Sequence, residues 1–297
     1  MPYPQLDPLL IALPILASLF NAQIGWLTPV TMAGSLGLMG WLRWPRIVPV
    51  LARCWPILLL ALLALTSTLW SIDPAASLRY GTLYLVTVML GVALAGLVEP
   101  RNLVLGLFLA FGLFNVVSFV FGGYVPLGAN GVAFAGITPS KNMAAQVAGF
   151  GLLASVVAIV QGLGERRLLL VLAAIAVIGV CGWTLLIALS TGALVASFAG
   201  LMVIAVFLVA RLLPLSGRAF IALATIPVLV VLLALSNSWL VPLFDLVLER
   251  FGKDAGLTGR GYLWQRADEL IAARPLFGLG YGAFWVPGNL AAEGLWE

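Results

Sequence analysis

Residues Leu168 to Leu189 read LLLVLAAIAVIGVCGWTLLIAL, a run of 22 residues without a charged side chain. The hydrocarbon core of a bilayer is about 30 Å thick, and a helix needs about 20 apolar residues to cross it. A helix also satisfies its own backbone hydrogen bonds, which lipid cannot do. The run is therefore predicted to be a membrane-spanning helix. Several other apolar runs of similar length occur along the chain, and together they decide the fold.

The chain as a whole has the composition of a membrane protein. Of its 297 residues, 63% are hydrophobic and 9% are charged, whereas a soluble domain has about 25% charged residues. We predict an all-α, polytopic integral membrane helical bundle with about nine transmembrane helices in this chain. The predicted spans are Leu9–Gln23, Pro29–Leu42, Cys54–Trp70, Ser77–Val98, Asn102–Phe121, Met143–Gly162, Leu168–Leu189, Ala193–Val209 and Ala219–Trp239.

The distribution of basic residues predicts the orientation, because cytoplasmic loops are enriched in Lys and Arg. The opposite short loops carry only Arg79 and Lys141. This pattern predicts a cytoplasmic N-terminus, a transmembrane helical domain over residues 1–240 and an extracytoplasmic loop segment over residues 241–297. The eight basic residues of the alternate loops are Arg43, Arg46, Arg53, Arg101, Arg166, Arg167, Arg211 and Arg218.

The segment 241–297 is too polar to lie in a bilayer, since it holds 12 of the 26 charged residues of the chain. Within it, Tyr262–Ala273 has a helical pattern with Leu, Ala and Ile on one side and charged residues on the other. Arg274-Pro275 and a glycine-rich run end this pattern. We predict an amphipathic helix at the outer membrane surface, followed by a flexible turn.

A second unusual segment is the loop GGYVPLGANGVAFAGITPSKN at residues 122–142, which contains a single charge. Irregular backbone at membrane depth is tolerated where it is buried in protein or lines a cavity. The loop is therefore predicted to be re-entrant or to cover a substrate.

Several classes of function lack their usual residues. The chain has no His, no Walker A loop, no G-x-S-x-G and no paired-cysteine motif. Cys54 and Cys181 fall in separate apolar runs and are predicted to serve packing. The basic residues punctuate apolar runs and form no patch, so no nucleic-acid partner is predicted. We predict neither a metal site nor a cofactor.

The candidate site residues are the basic residues on the predicted outer face, namely Arg79, Lys141 and Arg260. Arg260 stands between two glycines that let the backbone approach a ligand, and a guanidinium binds phosphate oxygens in pairs. Together the three predict a basic cluster for a phosphate or diphosphate at the membrane surface. The alternative is that each is an interfacial anchor or a solvated helix end.

The acidic residues are better explained by structure than by catalysis. Asp73-Pro74 has the pattern of a helix start, and nothing in the spacing of Asp254 and Asp268 distinguishes them from turn or helix-surface carboxylates. Arg266 and Arg274 have acidic neighbours, which favours a solvated, salt-bridged helix face.

Four segments together resemble the O-antigen ligase and polymerase superfamily, which includes exopolysaccharide polymerases. The W-S-x-D-P and T-G-R…W…P-x-x-G-x-G elements are the most specific, and the resemblance covers the chain from about Leu59 to its end. The segments are TSTLWSIDPAASLRYG (66–81), GITPSKNMAAQVAGFGLL (136–153), ALSTGALVA (188–196) and LTGRGYLWQRADELIAARPLFGLGYGAF (257–284).

The resemblance implies a GT-C-like glycosyltransferase of the bacterial cytoplasmic (inner) membrane. Its donor would be a glycan carried by undecaprenyl diphosphate, and its acceptor hydroxyl would belong to a lipid A-core sugar in a ligase or to another glycan repeat unit in a polymerase. On this resemblance Arg260 matches the family's G-R arginine, Lys141 its K-N lysine and Arg79 the basic residue that follows W-S-x-D-P. All three would bind the diphosphate of the substrate.

The chain also departs from the family pattern. Ser140 stands where His usually precedes K-N, and the stretch Ser190–Ala193 lacks the usual Arg or Lys. The family's outer loop continues to an H-x-H-N-like motif whose His is the expected acceptor-activating residue. The catalytic residue is thus unknown from this chain, and the interpretation is a C-terminally truncated member of the family.

Two other readings stay open at this level. Many spans and Gly/Pro-rich breaks are also typical of secondary transporters, although no internal repeat is evident. An inactive fragment or an assembly partner without catalysis is the third reading.

Overall fold

The computed structural model describes residues 7–127, 131–214, 216–217 and 260–293. Over these ranges all regular secondary structure is helical apart from one β-hairpin, which confirms the predicted all-α, polytopic membrane fold. The helices are α1 (Asp7–Leu19), α2 (Asn21–Ile24), α3 (Leu27–Arg53), α4 (Trp55–Thr66), α5 (Pro74–Leu97), α6 (Pro100–Phe121), α7 (Lys141–Gly164), α8 (Leu168–Ile187), α9 (Thr191–Leu212), α10 (Arg260–Ala273) and α11 (Leu290–Glu293).

The predicted count of nine spans is not confirmed. Among the described residues, α5 to α9 are long and apolar enough to cross a membrane. A sixth candidate is the pair formed by α3 and the stretch Trp55–Leu69, which are bent by 81° relative to each other. The first predicted span holds α1, which has only 13 residues, and the ninth, Ala219–Trp239, lies outside the described residues.

The second predicted span and the arginine-rich stretch after it both lie in α3, which consists of two helical stretches that meet at a kink at Arg43. Arg43 departs from helical geometry at φ −132° and ψ 28°, two residues before Pro45, whose ring cannot donate a backbone hydrogen bond and bends a helix. The Arg43 guanidinium donates to the carbonyl of Leu97, the last residue of α5. A cation at that position complements the negative end of the helix dipole.

The chain divides into two compact units. The first unit comprises Met1–Ala110 and Gly261–Glu297, and the second comprises Phe111–Arg260. The part of the polar segment from Gly261 onward therefore belongs to the same unit as the N-terminal helices. The predicted domain boundary at residue 240 lies outside the described residues and stays a prediction.

The core of the first unit is formed by α1, α3 and α5, with α4 packed against α5. The close approach of α4 and α5 depends on Gly81, where an added Cβ would lie 2.8 Å from the Cα of Leu65. The residues buried in this core are Ile11, Met32, Met39, Ile47, Leu90, Ala93, Leu94 and Leu97.

The core of the second unit lies between α7 and α8, where small residues allow close packing. Asn115 of α6 donates from Nδ2 to the carbonyl of Val147 at 3.2 Å, and an added Cβ on Gly151 would lie 2.7 Å from the same Nδ2. The cluster buried here consists of Ala145, Ala148, Cys181, Leu185 and Ala188.

The loop predicted to be re-entrant contains an antiparallel hairpin of β1 (Gly123–Leu127) and β2 (Gly131–Gly136). Tyr124 faces Phe134 across the hairpin, with ring centroids 5.3 Å apart. Backbone groups of β1 and β2 form hydrogen bonds with each other. The hydrophobic pattern of the sequence did not predict these strands, because the segment is short and rich in glycine. Whether it enters a membrane stays a prediction.

Candidate functional site

In the first unit the W-S-x-D-P motif forms the start of α5. The Asp73 side chain accepts a hydrogen bond from the backbone N–H of Ala76 at 2.9 Å, and Pro74 occupies the first helical position. These are the preferred residues of a helix N-terminus. The predicted helix start is confirmed, and the Asp73 carboxylate serves as its cap.

The residues Phe277–Gly282, here called the FGLGYG loop, dock against this helix start. The indole N–H of Trp70 donates to the carbonyl of Phe277 at 2.7 Å, and the two rings pack edge to face at 5.3 Å. The backbone N–H of Ile72 donates to the carbonyl of Leu279 at 3.1 Å. The two most specific motifs of the sequence are thereby joined over about 200 residues.

Three serines complete the docking of the FGLGYG loop. The Ser67 hydroxyl oxygen accepts from the backbone N–H of Tyr281 at 2.8 Å, and the Ser77 hydroxyl donates to the Tyr281 carbonyl at 3.0 Å. Ser71 lies 2.7 Å from the Ser77 hydroxyl oxygen and accepts from the backbone N–H of Asp73 at 3.1 Å. Both backbone groups of Tyr281 are therefore held by serine side chains.

Gly280 lies at the closest point of this contact. Its φ of +97° is in the left-handed region that favours glycine. An added Cβ would overlap the hydroxyl of Ser71 and would lie 2.8 Å from that of Ser77. Gly278 also has a positive φ, +63°, but nothing lies within 4 Å of the place its Cβ would take.

Arg79 lies in the second turn of α5 and is exposed. Its guanidinium carbon is 5.7 Å from the centroid of the Tyr80 ring. Within the described ranges it has neither a hydrogen bond nor an ion pair. Apart from its contact with the Tyr80 ring, the guanidinium is therefore available to a ligand, whereas the nearby serines of the sequence bind the FGLGYG loop.

The first unit contains a cavity of about 590 Å³, and the residue after Arg79, Tyr80, lines it. One wall is the face of α5 on which Tyr80, Tyr84 and Thr87 lie. The other wall is the end of the FGLGYG loop and the residues that follow it. The lining residues are Tyr80, Leu83, Tyr84, Thr87, Tyr281, Gly282 and Trp285.

In the second unit Lys141 is the first residue of α7 and is half-buried. Its Nζ donates to the carbonyl of Leu189 at 3.3 Å. Leu189 has a φ of +50°, which is strained for a residue with a branched side chain. The P-S-K-N and A-L-S-T-G segments, which are 48 residues apart, thus meet through this lysine.

The residue before Lys141 gives the helix its cap. Ser140 accepts a hydrogen bond from the backbone N–H of Met143 at 3.2 Å. Thr138 is buried, and its hydroxyl is within hydrogen-bond distance of the carbonyls of Ala135, at 2.7 Å, and Ser140, at 2.8 Å. The hairpin, the turn and the start of α7 therefore form one hydrogen-bonded corner.

The stretch Ser190–Ala193 begins α9. Thr191 is 3% exposed, and its hydroxyl has no hydrogen-bond partner within the part of the chain that the structure describes. No three His, Cys, Asp or Glu side chains are grouped like metal ligands in that part.

The third predicted site residue, Arg260, is the first residue of α10, and its side chain lies outside what the structure describes. Arg79 belongs to the first unit and Lys141 to the second, so the predicted cluster of three stays a prediction. The helix predicted at Tyr262–Ala273 is confirmed as α10. Arg266 of this helix pairs with Glu269 at 2.5 Å, as expected for a salt-bridged face.

The sequence had not singled out the aromatic residues of the cavity. Tyr80, Tyr84 and Thr87 follow one another at spacings of four and three, which places them on one face of a helix. That spacing was the available signal, but Tyr281 and Trp285 join this face only through the docking of the FGLGYG loop.

Comparisons with known proteins agree with these motifs. Residues 176–296 match the family described as O-antigen ligase. Over 242 residues, or 77% of the chain, the sequence is 31% identical to the exopolysaccharide production protein ExoQ of Rhizobium meliloti (strain 1021). The chain spans about half, 52%, of the length of that curated relative. No solved structure matches the chain significantly.

The motif segments predicted from the sequence pair with one another within each unit, and the similarity to ExoQ extends over most of the chain. The protein belongs to the O-antigen ligase and polymerase family of multi-pass membrane proteins.

Proposed function

We propose that the protein is a membrane glycosyltransferase that moves a glycan from undecaprenyl diphosphate to an acceptor hydroxyl. The reaction would take place on the extracytoplasmic side of the bacterial cytoplasmic membrane. Residues 1–240 would form the transmembrane domain and residues 241–297 an outer segment. The observation that carries the proposal is that Arg79, which has no ion pair within the described ranges, contacts the ring of Tyr80, a residue that lines a ligand-sized cavity, in a chain of this family.

The proposed reaction exchanges one bond for another at the donor sugar. The bond between the anomeric carbon and the diphosphate oxygen breaks, and a bond from the acceptor oxygen to that carbon forms. The acceptor hydroxyl loses its proton, and the diphosphate leaves with an additional negative charge. Stabilisation of that charge by fixed cations lowers the barrier.

Arg79, Lys141 and Arg260 are the proposed diphosphate-binding residues. The Arg79 guanidinium can take two phosphate oxygens at once without first breaking a described ion pair. The contact of Lys141 with the Leu189 carbonyl fixes the position of its ammonium group before substrate arrives. For Arg260 the support is its place in the T-G-R-G motif at the start of α10.

The acceptor is proposed to be another glycan repeat unit, which makes the reaction a polymerisation. The support is the similarity to a protein named for exopolysaccharide production. Ligation to a lipid A-core sugar is the alternative acceptor within the same proposal.

The proposal is tested by complementing a strain that lacks the gene and measuring both surface polysaccharide and lipid-linked glycan. Replacing Arg79, Lys141 or Arg260 by Gln should lower polysaccharide output by about 10- to 100-fold, because each removes a cation from the leaving group. Lipid-linked glycan should accumulate at the same time. Arg266→Gln is the matched control, since its charge is already paired with Glu269 on an exposed helix face.

Unchanged polysaccharide in the Arg260→Gln variant, or in Arg260→Ala, would show that the role assigned to Arg260 is wrong. Solute transport by the protein, without transfer of any glycan, would overturn the proposal as a whole.

A further inference from the structure

We infer that the cavity lined by Tyr80, Tyr84, Tyr281 and Trp285 is a carbohydrate subsite, which holds a sugar ring of the glycan next to the diphosphate. The inference rests on the proposed function for the identity of the glycan. The cavity itself is a feature of the first unit, with a volume of about 590 Å³. Ligand pockets commonly measure about 300–1,000 Å³ and are mostly apolar with a few polar groups.

Three of the four aromatic rings of this cavity, those of Tyr84, Tyr281 and Trp285, pack against another ring. The rings of Tyr84 and Tyr281 stack at 5.2 Å with an interplanar angle of 23°, and the Trp285 ring packs edge to face on Phe284 at 4.7 Å. Tyr281 is additionally fixed through both of its backbone groups by Ser67 and Ser77. Rings held in this way form a preorganised surface and lose little side-chain freedom on binding.

The polar groups favour a sugar over a hydrocarbon chain. Within the described ranges, the hydroxyls of Tyr80, Tyr84 and Tyr281 have no hydrogen-bond partner in the protein. A pyranose ring has an apolar C–H face that packs on an aromatic ring and hydroxyls at its edge that pair with phenol groups. A prenyl chain that filled the cavity would cover those phenol groups without pairing them, which is unfavourable.

The cavity also adjoins the proposed diphosphate site. Arg79 and Tyr80 are neighbours in α5, and the guanidinium carbon of Arg79 lies 5.7 Å from the Tyr80 ring. In a lipid-linked glycan the first sugar is bonded directly to the diphosphate. A guanidinium in contact with the ring of a cavity-lining tyrosine matches that order of groups.

The test uses the protein in lipid nanodiscs and three separate probes, with binding measured by calorimetry. The probes are neutral oligosaccharides from partial hydrolysis of the host's surface polysaccharide, inorganic diphosphate, and the prenol geraniol. Tyr281→Leu and Trp285→Leu should each weaken oligosaccharide binding roughly 3- to 10-fold, the cost of losing one aromatic contact. Trp41→Leu is the control, because the Trp41 ring is 83% exposed on α3 and lies outside the cavity.

Tyr84→Phe and Tyr281→Phe keep the stacked rings and so guard against loss of fold. They should weaken oligosaccharide binding by about 2- to 5-fold, since each removes one hydrogen bond of about 0.5–1 kcal/mol. Oligosaccharide binding that none of these four cavity variants changes would overturn the inference. Ring removal that weakens only geraniol binding would overturn it too and would assign the cavity to the lipid chain.

The diphosphate probe separates this inference from the proposed function. Arg79→Gln should weaken diphosphate binding and leave oligosaccharide binding unchanged, and the cavity variants should do the reverse. The cavity variants could weaken oligosaccharide binding while Arg79→Gln leaves diphosphate binding unchanged. That result would support the carbohydrate subsite and contradict the diphosphate-binding role of Arg79.

Discussion

The two units each join two motif segments, but they use different residues to do so. In the first unit, serines, a tryptophan and backbone groups of residues 67–77 bind the FGLGYG loop over more than 200 residues of sequence. Arg79 takes no part in that network. In the second unit the connection between the P-S-K-N and A-L-S-T-G segments is Lys141 itself.

In the first unit, the candidate substrate-binding charge, Arg79, is separate from the hydrogen bonds that stabilise the fold. In the second unit, Lys141 supplies both the charge and a stabilising hydrogen bond. Removing the charge of Arg79 should leave the fold of the first unit intact, because no described hydrogen bond depends on it. Removing the charge of Lys141 should affect both the fold and the binding of an anion. The comparison therefore predicts different consequences for the same kind of substitution.

The largest effect is expected for Gly280→Ala, which should release the FGLGYG loop. The added Cβ would overlap the Ser71 hydroxyl, and overpacking of this kind costs about 1–3 kcal/mol. The control is Gly278→Ala, because it has a similar positive φ but open space around the new Cβ. Thermal unfolding in detergent should show a melting temperature lower than that of the control by about 2–4 °C for each kcal/mol.

Proteolysis gives a second measure of the same change. Cleavage by chymotrypsin after Phe284, which follows the FGLGYG loop, should become faster in Gly280→Ala than in Gly278→Ala. Equal melting temperatures and equal cleavage rates in the two variants would contradict the docking of the loop through Gly280.

A smaller effect is expected for Lys141→Met, which keeps the length of the side chain and removes its donor. The Leu189 carbonyl would lose its hydrogen bond to a charged group, at a cost of about 1 kcal/mol. Arg79→Gln should change stability by less than about 0.5 kcal/mol, as is usual for exposed residues without a hydrogen bond or an ion pair. Thermal unfolding of both variants makes the comparison, and an Arg79 variant that is as destabilised as the Lys141 variant would contradict it.

The smallest effect is expected for the exposed pair Arg266 and Glu269 on α10. Pairs of this kind three residues apart stabilise a helix by about 0.2–0.5 kcal/mol and are screened by salt. Arg266→Gln should therefore lower the melting temperature slightly at low salt and not at all in 1 M NaCl. A large or salt-independent change in the melting temperature would contradict this prediction and would indicate that Arg266, although exposed, contributes to packing.

The sequence predicted several local features correctly. Asp73-Pro74 marks the start of α5, Arg274-Pro275 follows the end of α10, and Lys141 opens α7. Each depends on chemistry within a few residues, namely a capping side chain, a proline without an N–H or a change from polar to apolar sequence. The family resemblance came from the same segments and agrees with the comparisons.

The sequence was less informative where the local structure depends on contacts with another element. The arginines after Leu42 predicted a loop. The chain does leave helical geometry at Arg43, whose guanidinium contacts the end of α5, but it then resumes a helix that ends at Arg53. The glycine-rich loop was not predicted to contain strands, yet β1 and β2 form a hairpin there and hydrogen-bond each other's backbone. Both features depend on contacts that hydropathy does not contain.

By itself the sequence determined that this chain is a helical membrane protein, since runs of apolar residues without charge have no other stable arrangement in lipid. It also determined which segments carry the polar chemistry. Only the tertiary structure decided that the FGLGYG loop lies against the start of α5 and that Tyr281 completes an aromatic cavity there. The physical reason is that hydrogen bonds and ring contacts between residues 200 positions apart depend on packing, which has no signature in local sequence.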